Sequence, residues 1–191
     1  MRAPINLADA PGSREAWDRG FLWVLAWALV EPLLVRSSLQ LSSGLRVAVL
    51  RAFGAEIGSG VITRPGLRVR FPWKLVVGDR SWLGEDVWLH NQDRLVIGSD
   101  VVISQGTFVT TGTHAFRTDM ALVTRPIRVE DGAWVTSRAM VLGGVTIGRN
   151  ALVLPNTVVR RDVPEGVIFG AADGTVIGQR FPESNDETHT R

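Results

Sequence analysis

The chain has no cysteine, and of its 191 residues only three are histidine. Without cysteine there is neither a disulfide framework nor a thiol nucleophile, which removes redox and cysteine chemistry and fits a cytoplasmic setting. The histidines are His90, His114 and His189, the last in a polar tail, and they cannot easily supply the three or four ligands that zinc needs. A metal hydratase is therefore disfavoured and no metal is expected. Lysine is almost absent too, since arginine makes up all but one of the basic residues, and the formal charge is only +2. A balance so near zero gives little support to a nucleic-acid partner. Nor is there a long apolar run. The stretch through Trp17, Phe21, Leu22, Trp23, Val24, Leu25, Trp27, Leu29 and Val30 stops at Glu31 and Pro32, short of the roughly twenty residues that cross a bilayer. It also lacks the charged start and cleavage site of a signal peptide.

What the chain does have is a period of six. Blocks open with Val, Leu or Ile at Val77, Leu83 and Leu89, then at Ile97, Ile103 and Val109 after a slip of two residues. After a longer interruption they resume at Val129, Val135, Val141, Ile147, Val153 and Val159. At the chain's 45% apolar frequency, twelve such hits in twelve form a roughly 10⁻⁴ event. The fifth residue of most blocks is small or β-branched, as in Val87, Val101, Thr107, Thr113, Ala133, Ala139, Val145, Ala151, Thr157 and Val163. Period six drifts around a 3.6-residue helical turn, so these blocks are not helix. They read as short strands joined by tight turns, with Gly78, Gly84, Gly98 and Gly148 or Asn relieving the backbone. Hexapeptide periodicity is the signature of a parallel β-helix, three blocks to a triangular coil of eighteen residues.

Around this body the spacing predicts one helix ended by Pro32 and a second that starts near Ser42 or Ser43 and closes at Gly54. The second should carry Leu45, Val49, Leu50 and Phe53 on one side and Arg46 and Arg51 on the other. This Trp-rich hairpin either caps the open end of the β-helix or packs against another subunit, or it lies in a membrane interface through residues 17–53. In the second case the protein would sit at the inner face of the membrane. Residues 57–76 read as a first, irregular coil broken by Pro65, Pro72 and Trp73. Residues 115–126 form a loop thrown out of the solenoid, often the binding face of such folds. The expected organisation is thus an N-terminal segment 1–54, a β-helix 55–180 and a polar, disordered tail 181–191.

The run from Ile103 through Gly112-Thr-His114, then Pro126-Ile-Arg-Val, Asp131-Gly-Ala-Trp-Val, Gly144-Val-Thr-Ile-Gly and Asp162-Val-Pro164, resembles the hexapeptide-repeat acyltransferases. Within them the colanic acid biosynthesis acetyltransferases are most similar, from the apolar N-terminal helices and Phe53-Gly-Ala-Glu-Ile-Gly58 to about residue 180. The resemblance implies a mainly β fold, a left-handed parallel β-helix, usually homotrimeric. It also implies transfer of an acetyl group from acetyl-CoA to a sugar or glycan hydroxyl at clefts between subunits.

It implies site residues as well. His114 stands where the family places its catalytic base, and imidazole titrates in the useful range. Ser137, in Trp134-Val-Thr-Ser137, matches the residue whose backbone amide meets the developing oxyanion. Asn91 matches a polar residue facing the acceptor, although asparagine is equally a turn residue, and His90 beside it could point into the cleft. On the cofactor track, Trp134 belongs to the same run, Arg161 takes the place of a basic residue that meets a CoA phosphate, and Arg180 is a second such residue. Two departures lie on that track. Leu154-Pro155-Asn156-Thr157 replaces Gly-Ala-Gly-Ser, and Ala171-Ala172-Asp173-Gly174 replaces Gly-Asn-Pro-Ala. They keep open an alternative, a non-catalytic trimeric scaffold of a glycan pathway that docks at a membrane through its hairpin.

Overall fold

Every block-opening aliphatic points inward. In the computed structural model, which describes residues 5–12, 14–170 and 175–179, all twelve are buried, from Val77 to Val159. They stack on the three sides of a prism. One side runs Ile57, Val77, Ile97, Val129, Ile147. The next runs Thr63, Leu83, Ile103, Val135, Val153, Phe169. The third runs Val69, Leu89, Val109, Val141, Val159. Each step is a parallel pairing, so a row of aliphatics fills the axis, and each buried Val, Leu or Ile contributes roughly 1.5–3 kcal/mol. The fifth-position residues are buried too, except Thr113, which leaves the solenoid on a hairpin and is exposed.

Eighteen residues per coil holds from Val129 to Ile147, but the step is twenty from Ile57 to Val77 and again from Val77 to Ile97. The extra pair sits at the corner after the third side, around Phe71 and Asn91. For the same reason the stretch 57–76 is not irregular. Ile57, Thr63 and Val69 keep the spacing of six, with Pro65 and Pro72 confined to corners. Thr63 hides the pattern because a hydroxyl replaces the aliphatic, and its N–H donates to Ser43 Oγ at 2.8 Å.

The second-place glycines do not form the turns. A Cβ on Gly78 would lie 2.5 Å from the Gly98 carbonyl carbon and the Ser99 nitrogen, and one on Gly84 would lie 2.7 Å from the Gln105 nitrogen. These positions are glycine because neighbouring coils touch there. Turning falls to other residues with positive φ, among them Arg80, Asp86, Asp100, Arg138, Asn150 and Asn156. Their amides knit the corners. Asp86, Gly106, Arg138 and Asn156 donate to the carbonyls of Pro65, Glu85, Gln105 and Ser137 in the preceding coil.

Helix α1 spans Phe21–Val30 and α2 spans Ser43–Ala52, with Ser42 Oγ accepting from the Leu45 amide as N-cap. The regular helix ends at Val30 as expected, yet the chain continues as a wider turn over Glu31–Val35, closed by Arg36 N–H to the Glu31 carbonyl at 2.9 Å. Proline fits there because its position at the start of the turn needs no donor. The face of α2 is the reverse of expectation at two residues: Arg46 is fully buried, with Val47 and Leu50, while Leu45 is exposed. The Arg46 guanidinium donates to the carbonyls of Val35, Ser37 and Gln40, satisfying the link between the helices. The hairpin caps the solenoid in atomic detail. Gly66 N–H donates to Arg36 carbonyl oxygen at 3.0 Å, and Arg51 donates to the carbonyls of Ile57 and Gly58. Those are the groups an open first coil would leave unpaired. No helix among the described residues is long and apolar enough to cross a membrane.

Candidate active site

The regular corner breaks once. After the strand Phe108–Thr110 the chain leaves as an antiparallel ribbon, Gly112–His114 against Leu122–Thr124, so part of the expected loop is a hairpin. Its tip is tightly organised. Asp119 accepts from the Ala121 amide at 3.0 Å and from Thr118 Oγ1, which holds its carboxyl below the usual range. Met120 takes a positive φ of 60°, and Ala115 N–H donates to the Ala121 carbonyl. This turn aims the Met120 carbonyl at His114, whose Nδ1 lies 2.8 Å away. A carbonyl can only accept, so Nδ1 carries the hydrogen and the lone pair resides on Nε2. His114 is exposed, and its orientation is set by the hairpin.

Ser137 occupies the opposite corner of the same side, just before the strand Met140–Leu142, which pairs with Phe108–Thr110. Among the described residues nothing accepts from its amide, while its carbonyl takes the Asn156 N–H at 3.1 Å. A three-residue strand separates the His114 and Ser137 corners, roughly 10 Å at 3.3 Å per residue. One chain therefore does not bring the two together. Pro155 stands in the same stack of corner residues as Pro65, Glu85, Gln105 and Ser137. Since that position donates to no neighbouring coil, proline there leaves the ladder intact.

Asn91 has a structural task instead of the expected one. It is fully buried, its Nδ2 donating to the Phe71 carbonyl at 2.7 Å and its Oδ1 accepting from the Phe71 amide at 3.2 Å, so it locks two successive corners. His90, next to it, does point outward. It is half-buried, 3.3 Å from Thr110 Oγ1 and edge-on to Trp88, and burial together with Arg70 lowers its pKa.

Trp134 is exposed on the second side, its indole N–H donating to Ser104 Oγ at 2.9 Å, near a groove of about 540 Å³ lined by Ile62, Trp82 and Val102. Arg161 is exposed at the corner after Val158–Val159, with its guanidinium 6.0 Å from the Phe169 ring, and Asp162 accepts from the Thr146 amide. Arg180, residues 171–174 and the tail 181–191 lie outside the described residues. The outward aromatics Trp82, Trp88 and Phe108 each immediately precede a block opener, as Trp134 does. Among the described residues there is no cluster of three or more histidines or carboxylates that could hold a metal ion.

No family model matches the chain. The protein named "Putative colanic acid biosynthesis acetyltransferase WcaF" from Escherichia coli is 33% identical over 158 residues, covering 82% of this chain and 87% of that one. A galactoside O-acetyltransferase of Lactococcus lactis is 23% identical, covering 75% and 72%. Among solved structures, a hexapeptide-repeat acetyltransferase of Vibrio cholerae complexed with acetyl coenzyme A superposes with a TM-score of 0.74 at 21% identity, over 88% of this chain and 89% of that one.

Proposed function

Because the chain belongs to the hexapeptide-repeat acetyltransferases, we propose that it transfers an acetyl group from acetyl-CoA to a hydroxyl of a sugar or glycan intermediate. The observation that carries this is the His114 geometry, an exposed imidazole whose tautomer is set by the Met120 carbonyl. Nε2 takes the proton of the acceptor hydroxyl as its oxygen attacks the thioester carbon. The C–S bond breaks as the tetrahedral intermediate collapses, and the imidazolium returns its proton to the departing thiolate. Charge on the carbonyl oxygen meets the Ser137 amide, which no acceptor among the described residues occupies. Since His114 and Ser137 of one chain lie at opposite corners, they meet at a shared carbonyl only across a subunit interface, which supports a homotrimer. The exposed Met140 and Val158 offer an apolar stretch of that side for the packing.

Arg161 would meet a phosphate of the cofactor and Trp134 would flank its arm. The acetyl-CoA complex of the Vibrio relative and the galactoside specificity in the name of the Lactococcus relative support donor and acceptor class. Calorimetric titration of acetyl-CoA into the purified chain and into Arg161→Ala tests the assignment. Micromolar binding that weakens in the variant is expected, and folded protein that binds none overturns it.

Pro155 favours a second reading, a scaffold that has lost the donor, because a proline there cannot offer an N–H to the pantetheine arm. Such a scaffold would dock through the outer side of α1, where Phe21, Leu22, Leu25 and Leu29 are exposed. Vesicle sedimentation of the full chain beside Leu22→Glu/Leu29→Glu separates the outcomes: pelleting only of the unmodified chain supports docking, and no pelleting removes it.

A further inference from the structure

The outward face of the third side carries a second cluster of groups. Along the first coil Val69 points in, while Arg68 and Arg70 point out. Arg68 pairs in register with Trp88 and Trp88 with Phe108. The Arg70 amide donates to the Leu89 carbonyl at 2.9 Å, setting Arg70 beside His90. The rings of Trp88, His90 and Phe108 lie 4.9 to 6.2 Å apart by centroid, and the Arg68 guanidinium sits 5.4 Å over Trp88. Helix α1 and the turn after it close the outer wall with Trp27, Glu31 and Arg36, leaving a pocket of about 300 Å³. Trp27 pins that wall through its indole N–H to the Val69 carbonyl at 2.9 Å.

The pocket is electrostatically unfinished. Among the described residues the ion pairs involve Lys74, Arg80 and Arg149, and none involves Arg36, Arg68 or Arg70. Among the described lining residues Glu31 is the only carboxylate, so even fully ionised it leaves an excess of positive charge beside Arg36, Arg68 and Arg70. Arg68 and Arg70 stack over Trp88 and Phe71 without a salt bridge to a described carboxylate, and guanidinium forks so placed beside aromatic faces are complementary to a planar or tetrahedral anion carried on a ring. The pocket is also connected to the candidate base. His90 contacts Thr110 Oγ1, which in turn meets the N–H and carbonyl of Gly112, the first residue of the strand that ends at His114. Arg70, His90 and Thr110 lie on successive coils, so the arginines stand about 10 Å from the root of the hairpin. That is the reach of a saccharide rather than of one functional group.

We propose that this pocket binds a negative charge on the acceptor, so that the substrate is an acidic sugar or glycan bearing a carboxylate or a phosphate, with Arg68 and Arg70 as the residues that select it. Its meaning for specificity rests on the sugar O-acetyltransferase reading above; the binding itself rests on the pocket alone. Neutral sugars find the same aromatic floor but bring no anion to the Arg68 and Arg70 guanidinium groups.

The test is calorimetric titration of glucuronate, glucose 1-phosphate and glucose into the full chain, Arg68→Gln and Arg70→Gln, with acetyl-CoA titrated in parallel. A charged sugar is expected to bind about ten- to a hundredfold more tightly than glucose, and each variant is expected to lose about that factor. Binding of glucuronate alone assigns a carboxylate and binding of glucose 1-phosphate alone assigns a phosphate; either supports the proposal. Equal binding of glucose, no binding of either charged sugar, or unchanged affinity in both variants overturns it. Arg70→Lys, which keeps the charge but not the fork, should fall between the native residue and Gln, and thermal melts confirm that the variants are folded. Charged-sugar binding without acetyl-CoA binding would leave the pocket standing and remove the acetyl donor.

Discussion

The Nδ1–H of His114 donates to the carbonyl of Met120 at 2.8 Å, across the tip of one hairpin that is itself tied by Asp119. Backbone rather than a carboxylate orients this imidazole among the described residues. Replacing His114 with Gln or Ala removes the proposed proton acceptor from an exposed position. Turnover is expected to fall at least about a hundredfold, with acetyl-CoA affinity and melting temperature unchanged. Retained turnover would take His114 out of the mechanism.

Arg46 and Leu45 are neighbours with opposite environments. Arg46→Leu leaves the carbonyls of Val35, Ser37 and Gln40 without their donor inside the hairpin. A loss of about 1–3 kcal/mol is expected in urea unfolding, whereas Leu45→Glu, on the exposed face, should stay within about 0.5 kcal/mol. Equal effects would mean that the α2 face is assigned wrongly.

Two glycines make a second contrast. A methyl group on Gly78 meets backbone of the next coil at 2.5 Å, while one on Gly44 meets only Ser42 Oγ at 3.8 Å. Gly78→Ala is expected to destabilise by about 1–3 kcal/mol. Gly44→Ala, inside α2, should stabilise by up to about 1 kcal/mol. Denaturation midpoints of the two variants would decide it.

His90 supplies a pH dependence. Burial and Arg70 lower its pKa from 6.5, so below that value the unfolded chain binds a proton that the folded chain resists. Stability is therefore full above pH 6.5 and falls as pH drops toward the lowered value. The downward-shifted carboxyls of Asp79, Asp100 and Asp119 titrate below 3.8, under this window. Urea midpoints at pH 7.5 and 5.5 should differ less in His90→Gln than in the native chain. An equal difference would refute the assignment.

The inward rows of the solenoid were legible because a strand period of two and a coil period of six together leave only one set of positions facing the axis. Thr63 and Pro65 concealed the first coil, since register there depends on hydrogen bonds to α2 and not on hydropathy. Arg46 concealed its own burial for a related reason. A guanidinium reads as surface until the carbonyls that accept from it are in place, and those come from a link eleven to six residues upstream.

For the site, the sequence marked His114 through the break in the repeat, but it could not supply the proton's location, which depends on the fold of the hairpin tip. It marked Asn91 without revealing that both ends of its amide are spent on Phe71. By itself the sequence determined the β-helix, its phase from Val77 to Val159 and the family motifs, because those are local and repeat along the chain. Tertiary structure alone decided which corner each residue occupies, how far His114 stands from Ser137, and that Arg68, Arg70 and Arg36 converge on one pocket with α1. Those facts are distances between coils and helices, and no local pattern encodes them.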